Sequence, residues 1–134
     1  MILVDSNILI DVATEDPIWR DWSRRQLDRS ALAGNELVIN DVVYAEISVR
    51  YASADAVDDV LAVIRIGMAA MPREALFLAA RAFQRYRAGG GIRTGVLPDF
   101  FLGAHAVTIG APLITRDPRR FRTYFPGIKL IAPD

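Results

Sequence analysis

Hydrophobic and polar positions follow two alternating patterns along this chain. Ile2-Leu3-Val4, Leu37-Val38-Ile39 and Pro112-Leu113-Ile114-Thr115 are short apolar blocks bounded by turn-forming residues, the signature of strands buried on both faces. Gly67–Met71 and Leu130-Ile131 are weaker strand candidates. Between these blocks the apolar residues recur at helical spacing. A short helix runs from the Asp5-Ser6-Asn7 turn to Ala13, and a second begins at the Asp16-Pro17 cap, carries Trp19, Trp22, Leu27 and Leu32, and stops at Gly34-Asn35. Asn40 or Asp41 caps a third, holding Val42, Val43, Ala45, Glu46 and Val49. The spacing predicts further helices over 54–66 and 73–87, the latter with Leu76, Ala79, Ala80 and Phe83 as its apolar stripe. The loop Gly89-Gly90-Gly91 follows, and then a helix that starts at Pro98 and closes at Gly110. Short apolar strands alternating with amphipathic helices give a three-layer α/β/α domain with a central, mostly parallel sheet. The 134 residues suit one such domain, and no repeat, linker or low-complexity stretch divides them.

Composition narrows the chemistry. Without cysteine, the chain has no disulfides, thiolate zinc sites or cysteine nucleophiles, and one histidine rules out a site built on several imidazoles. Any metal must be held mainly by oxygen, which favours Mg²⁺ or Mn²⁺. No apolar run approaches the roughly 20 residues that span a bilayer, and Met-Ile-Leu-Val-Asp lacks a basic leader, which argues for a cytoplasmic protein away from membranes. A net charge of zero hides an asymmetry: six Arg face twelve Asp and Glu over 1–72, and nine Arg face three acids over 73–122. Arginine's planar fork suits phosphate, so the second half is compatible with a nucleic-acid partner; charged, solvated helix faces would give the same counts.

Four of the sixteen acids stand apart by position. Asp5 and Asp117 come at or just after the carboxyl ends of buried strands, the edge where open α/β sheets bind ligands. Glu46 lies one turn into the helix after the second strand, and Asp99 lies in the first turn after Pro98, both among apolar neighbours. Carboxylates crowded together raise one another's pKa unless a cation intervenes. A divalent ion relieves that repulsion and makes a water acidic enough to attack a phosphodiester, with one ion or with two about 4 Å apart. Singly, each acid has an ordinary explanation: Asp5 as a helix cap, Asp99 as a first-turn charge, Glu46 as a partner of Arg50, Asp117-Pro118 as a turn. The set carries the weight.

Three stretches resemble a known family. Ile2-Leu3-Val4-Asp5-Ser6-Asn7-Ile8-Leu9-Ile10-Asp11, Leu97-Pro98-Asp99-Phe100-Phe101-Leu102-Gly103-Ala104-His105-Ala106 and Leu113-Ile114-Thr115-Arg116-Asp117-Pro118-Arg119-Arg120-Phe121 are similar, in order, to the motifs of PIN-domain proteins, specifically VapC-type toxins of bacterial toxin–antitoxin pairs. The resemblance implies an Mg²⁺- or Mn²⁺-dependent endoribonuclease, often acting on tRNA or rRNA, usually homodimeric and restrained by a VapB-type antitoxin. Carried over, Asp5, Glu46, Asp99 and Asp117 form the acidic set around the metal, the last directly or through water. Ser6, Asn7 and Thr115 support it.

Arg93, Arg116, Arg119 and Arg120, with Arg122, are candidate contacts to RNA phosphates. His105 reads as a packed helix histidine rather than a base, and the spacing of Trp19 and Trp22 favours packing over base stacking. Two other acid-and-magnesium folds fit poorly. A haloacid-dehalogenase-like phosphatase wants a second Asp where Asn7 stands, and a receiver domain wants an acceptor Asp where Asn40 stands. A non-catalytic protein-binding module of the same fold, or a relative that cuts DNA, is the remaining alternative.

Overall fold

In the computed structural model, which describes residues 1–134, five short strands form one sheet: β1 (Ile2–Val4), β2 (Leu37–Ile39), β3 (Gly67–Met68), β4 (Leu113–Ile114) and β5 (Leu130–Ile131). Their order is β3-β2-β1-β4-β5, and every neighbouring pair is parallel. Leu3 of β1 is in register with Val38 on one side and Leu113 on the other. The three central strands are buried at every position, as a parallel sheet covered on both faces requires. Seven helices provide the cover, completing three layers: α1 (Ser6–Ala13), α2 (Arg20–Leu32), α3 (Asp41–Ser48), α4 (Ala54–Val63), α5 (Arg73–Ala88), α6 (Leu97–Ile109) and α7 (Arg119–Tyr124). None is long and apolar enough to cross a membrane. The chain leaves β1 toward β2 and β3, then returns to the other side of β1 for β4 and β5. That reversal makes the carboxyl ends of β1 and β4 the topological switch point, where Asp5 and Thr115 emerge.

Local chemistry explains most element boundaries. Asp16 Oδ1 accepts from the amides of Ile18 (2.9 Å) and Trp19 (2.8 Å), and its carbonyl accepts from Arg20, so the Asp16-Pro17 cap forms although regular helix begins only at Arg20. Asn40 caps α3 through the amide of Val43, and Ser53 caps α4 through that of Ala56. The helix expected to reach Ile66 ends at Val63, because Arg65 turns the chain with φ 58° and lets Ile66 enter the core. Gly110, at φ 67°, closes α6 in the left-handed conformation that glycine adopts without a Cβ penalty.

The stripe on α5 differs from the one the spacing predicts. Ala75, Ala79 and Ala82 are buried, whereas Leu76 and Ala80 face solvent. Small residues let α5 approach α6 closely, while Phe83 and Tyr86 pack on Phe100 at centroid distances of 5.4 Å. Tyr124 and Phe125 complete this cluster around Phe100. Helix α7 has no counterpart in the sequence reading: six residues containing three arginines show no periodicity, and they are anchored by the buried Phe121 and by Tyr124 against Phe100. His105 is fully buried on α6. Since Asn40 Oδ1 is taken by Val43, its amide nitrogen donates to Nδ1 of His105 at 3.3 Å, which leaves the imidazole proton on Nε2. Burial lowers the pKa of that ring, so it is a neutral packing element.

The tightest fit in the core is at Gly103, where a Cβ would lie 2.5 Å from the Phe125 ring and 3.1 Å from Phe121. Gly103→Ala should therefore destabilise the protein by about 1–3 kcal/mol in urea unfolding. Gly95→Ala, where nothing lies within 4 Å of the new methyl, should be close to neutral.

Candidate active site

The backbone brings Asp5 to the switch point. Its amide donates to the carbonyl of Ile114 at 2.9 Å, extending the β1–β4 ladder by one residue, and α1 begins directly after it. Asp5 occupies the N-cap position of α1, yet its side chain makes no cap hydrogen bond. Its carboxylate accepts instead from Thr115 Oγ1 (2.8 Å), Asn7 Nδ2 (3.3 Å) and Ser6 Oγ (3.4 Å). Thr115 is the hub of this network, because its hydroxyl oxygen also accepts from Asn7 Nδ2 and from the amide of Asp117. One threonine thus joins β4, α1 and the turn into α7.

Glu46 on α3 and Asp99 on α6 face Asp5, both half-buried. Burial, together with the charges of Asp99 and Glu46, pushes the Asp5 carboxyl up to about 7 against the pull of Thr115. Burial also raises Glu46, opposed by the Ser6 hydroxyl and reinforced by Asp99. Asp99 is raised by burial as well, although Arg120 Nη1 lies 2.6 Å from its Oδ2. Of the ordinary roles offered for these residues, the Glu46–Arg50 ion pair does not form, while Asp99 does lie in the first turn of α6 and is also paired with Arg120. Asp117 is exposed on the rim, close enough to act on the charge of Asp99.

The structure thus brings Asp5, Glu46 and Asp99 together and sets Asp117 beside them. No three of these carboxylates meet closely enough to enclose an ion as they stand. The donor set nonetheless fits Mg²⁺ or Mn²⁺. Mg²⁺ keeps several waters and needs only one or two carboxylates, and three acids raised by burial and mutual repulsion are those that a cation would ionise. Asp5 touches only neutral donors, so no positive group of the chain satisfies it.

With that geometry in place, likeness to known proteins becomes informative. The model of the PIN domain family matches residues 2–125. The chain belongs to the PIN domain family. No curated protein matches it. Among solved structures, this PIN domain is similar to a chain of VapBC2 from Rickettsia felis bound to a DNA fragment from its promoter, with 20% identity, all of both chains covered and a TM-score of 0.75. It is also similar to a chain of DNA-bound VapBC from Salmonella typhimurium, at 19% identity, 98% of each chain and a TM-score of 0.69. A chain of VapBC-1 from nontypeable Haemophilus influenzae gives 15%, 98% of each chain and 0.71. At these identities the likeness is one of fold.

One part of the site escaped the sequence reading. Asp11 on α1 is almost wholly buried, and its Oδ2 accepts from Ser23 Oγ of α2 at 2.8 Å and lies 3.0 Å from Arg116 Nε, an ion pair rather than an aligned hydrogen bond. Arg116 also lies over the Trp19 ring, 5.6 Å from its centroid. A signal was present: Asp11 is an acid between Ile10 and Val12, as out of place in an apolar run as Asp5. The tryptophans part company too, with Trp22 against the core and Trp19 half-exposed beside Arg116.

The raised Asp5 carboxyl makes the stability of the metal-free PIN domain depend on pH, in the same direction as the raised Glu46 and Asp99. Between its unfolded value near 3.8 and its folded value of about 7, the folded state holds a proton that the unfolded state has lost, so stability falls as pH rises across that window. Asp5→Asn keeps an acceptor for Thr115 and removes the titration. In EDTA it should flatten this slope and melt several degrees higher than wild type at pH 7, as scanning calorimetry between pH 4 and 8 would measure.

Proposed function

We propose that this PIN domain is a metal-dependent endoribonuclease, the toxin of a toxin–antitoxin pair, with its catalytic centre at the carboxyl ends of β1 and β4. The observation that supports the reading is that Asp5, Glu46 and Asp99, from three separate elements, stand near enough for their charges to act on one another, and each carboxyl is raised. These three are the proposed metal ligands, with Asp117 a fourth that reaches the metal directly or through water. Held by these carboxylates, Mg²⁺ or Mn²⁺ would supply an acidified water as nucleophile and would neutralise charge on the phosphate. Thr115, Asn7 and Ser6 hold the Asp5 carboxylate in one orientation through hydrogen bonds to both of its oxygens. Of the four candidate arginines, Arg93 and Arg119 are the proposed contacts to RNA phosphates, because Arg116 and Arg120 are committed to Asp11 and Asp99.

The fold shared with VapBC chains supports a VapB-type antitoxin as partner. So does an exposed apolar groove between α1, α3 and α4, lined by Leu9, Ile10, Ile47, Tyr51, Val60 and Ile64. Leu76 and Phe77, exposed on α5, are the proposed homodimer contact. The same groove favours the second reading, a PIN-like module that binds a protein and does no chemistry.

Incubating the purified protein with total RNA and Mg²⁺ or Mn²⁺ separates the two. Cleavage should appear with metal, vanish in EDTA, and fall at least about 10²-fold in Asp5→Asn and Asp99→Asn. Divalent metal at about 100 times its Kd should also stabilise wild type by about 2.7 kcal/mol and leave both variants nearly unmoved. RNA left equally intact by wild type and variants, with no metal-induced stabilisation, would point to the binding module; preferential cutting of single-stranded DNA would point to a deoxyribonuclease.

A further inference from the structure

Beyond the acid cluster, α7 divides its arginines between two directions. Arg120 turns inward to Asp99, whereas Arg119 and Arg122, three positions apart on the same helical face, reach a separate cleft of about 490 Å³. Trp19 and Arg116 form the facing wall, and Asp117, Pro118 and Thr123 line the remainder with the C-terminal Pro133 and Asp134. Neither Arg119 nor Arg122 has a carboxylate partner, and both are exposed. The volume falls within the range of small-molecule sites.

The wall opposite these free cations is rigid. Arg116 is pinned at Nε by Asp11, which is itself held by Ser23, and its guanidinium lies over the Trp19 ring. Trp19 is braced from the side by an edge contact to Trp22 at 5.9 Å. A half-exposed aromatic overlaid by a fixed guanidinium offers a flat surface that needs no further ordering when a ligand arrives. Flat π-surface on one side and two free guanidinium groups on the other match the two halves of a nucleotide, its base and its phosphate.

We propose that this cleft is a nucleotide-binding subsite: an unpaired base packs on the Trp19–Arg116 wall, and the phosphate next to it is held by Arg119 and Arg122. Asp117 borders both the cleft and the acid cluster, so the subsite takes a nucleotide flanking the one cut. A base stacked in a duplex cannot reach the wall, so the subsite selects single strands. The assignment rests on the nuclease reading only for its place along the substrate; the binding itself needs no metal.

The test is therefore made in EDTA, where binding is read without cleavage. The probe is a fluorescein-labelled, unstructured heptaribonucleotide, followed by anisotropy over a salt series and by intrinsic tryptophan emission. Wild type should bind it more tightly than a duplex of equal length and lose tryptophan emission at saturation. Trp19→Phe should abolish that quench, and Trp19→Ala should weaken binding at least tenfold. In Arg119→Ala/Arg122→Ala, affinity should fall and the log–log salt slope should become shallower by about 0.7, the release expected for one phosphate contact to a single strand. Both arginines are exposed, and an unchanged melting temperature would confirm that the double variant is folded. The proposal is overturned if the double variant keeps the wild-type affinity and slope, if the emission change survives in Trp19→Phe, or if hexaglutamate displaces the probe as effectively as unlabelled RNA, which would mark an acidic-peptide site. Cleavage with metal distinguishes the two readings. Binding signals that hold in a protein unable to cut RNA would sink the nuclease and keep the subsite, whereas metal-dependent cutting with an unchanged KM in the double variant would do the reverse.

Discussion

The Asp5 carboxyl group is placed by the backbone, and its neighbours adapt to it. Because the Asp5 amide still belongs to the β1–β4 ladder, the side chain must leave the sheet at the switch point, where both faces are already covered. A carboxyl group in that position needs hydrogen bonds, and the chain supplies three from neutral groups: Thr115, Asn7 and Ser6. Those bonds orient the group without supplying charge. The only cation in contact with any member of the cluster is Arg120, on Asp99. The centre of the site is thus polar, ordered and short of positive charge, the condition under which a divalent ion has most to contribute.

How much of this could be read from sequence depended on the range of the interaction concerned. Strands β1, β2 and β4 are runs of apolar residues buried on both faces, and their composition marks them without tertiary information. The caps at Asp16 and Asn40 act within three residues and were equally visible, whereas the equally local cap at Ser53 was not picked out. Asp5, Glu46 and Asp99 could be selected because each is an acid in apolar surroundings, which sequence does record. The α5 stripe could not be phased from sequence. Ala75, Ala79 and Ala82 are buried because α6 lies close, while the larger Leu76 and Phe77 remain outside. Helix α7 is held by Phe121 and by Arg120 reaching across to Asp99, neither of which has a local signature. Asp11 had the same local mark as Asp5, but its meaning comes from Ser23 and Arg116, which are 12 residues away and on the far side of the sequence.

The fate of the arginines illustrates why charge counting stops short of function. The excess of positive charge in the second half of the chain was compatible with a nucleic-acid partner or with solvated helix faces, and the structure gives its members different tasks. Arg116 is tied to a buried acid and lies against Trp19, Arg120 neutralises Asp99, and Arg119 and Arg122 stay unpaired. A fixed guanidinium and a free one differ in kind. The first shapes a wall and helps hold α1, α2 and the turn after β4 together, while the second still has its charge to offer a ligand.

Burial grades the acids in a way that gives the site a direction. Asp5 is enclosed, Glu46 and Asp99 are half-covered, and Asp117 stands at the rim, so the cluster opens on the side where Asp117 borders the cleft. This ordering follows from the strand order, which sets Asp5 deep in the switch point, and from the length of the turn after β4, which carries Asp117 outward and returns Arg120 to Asp99. The same short segment, 115–122, thus anchors Asp5 through Thr115 and presents the cations at the entrance.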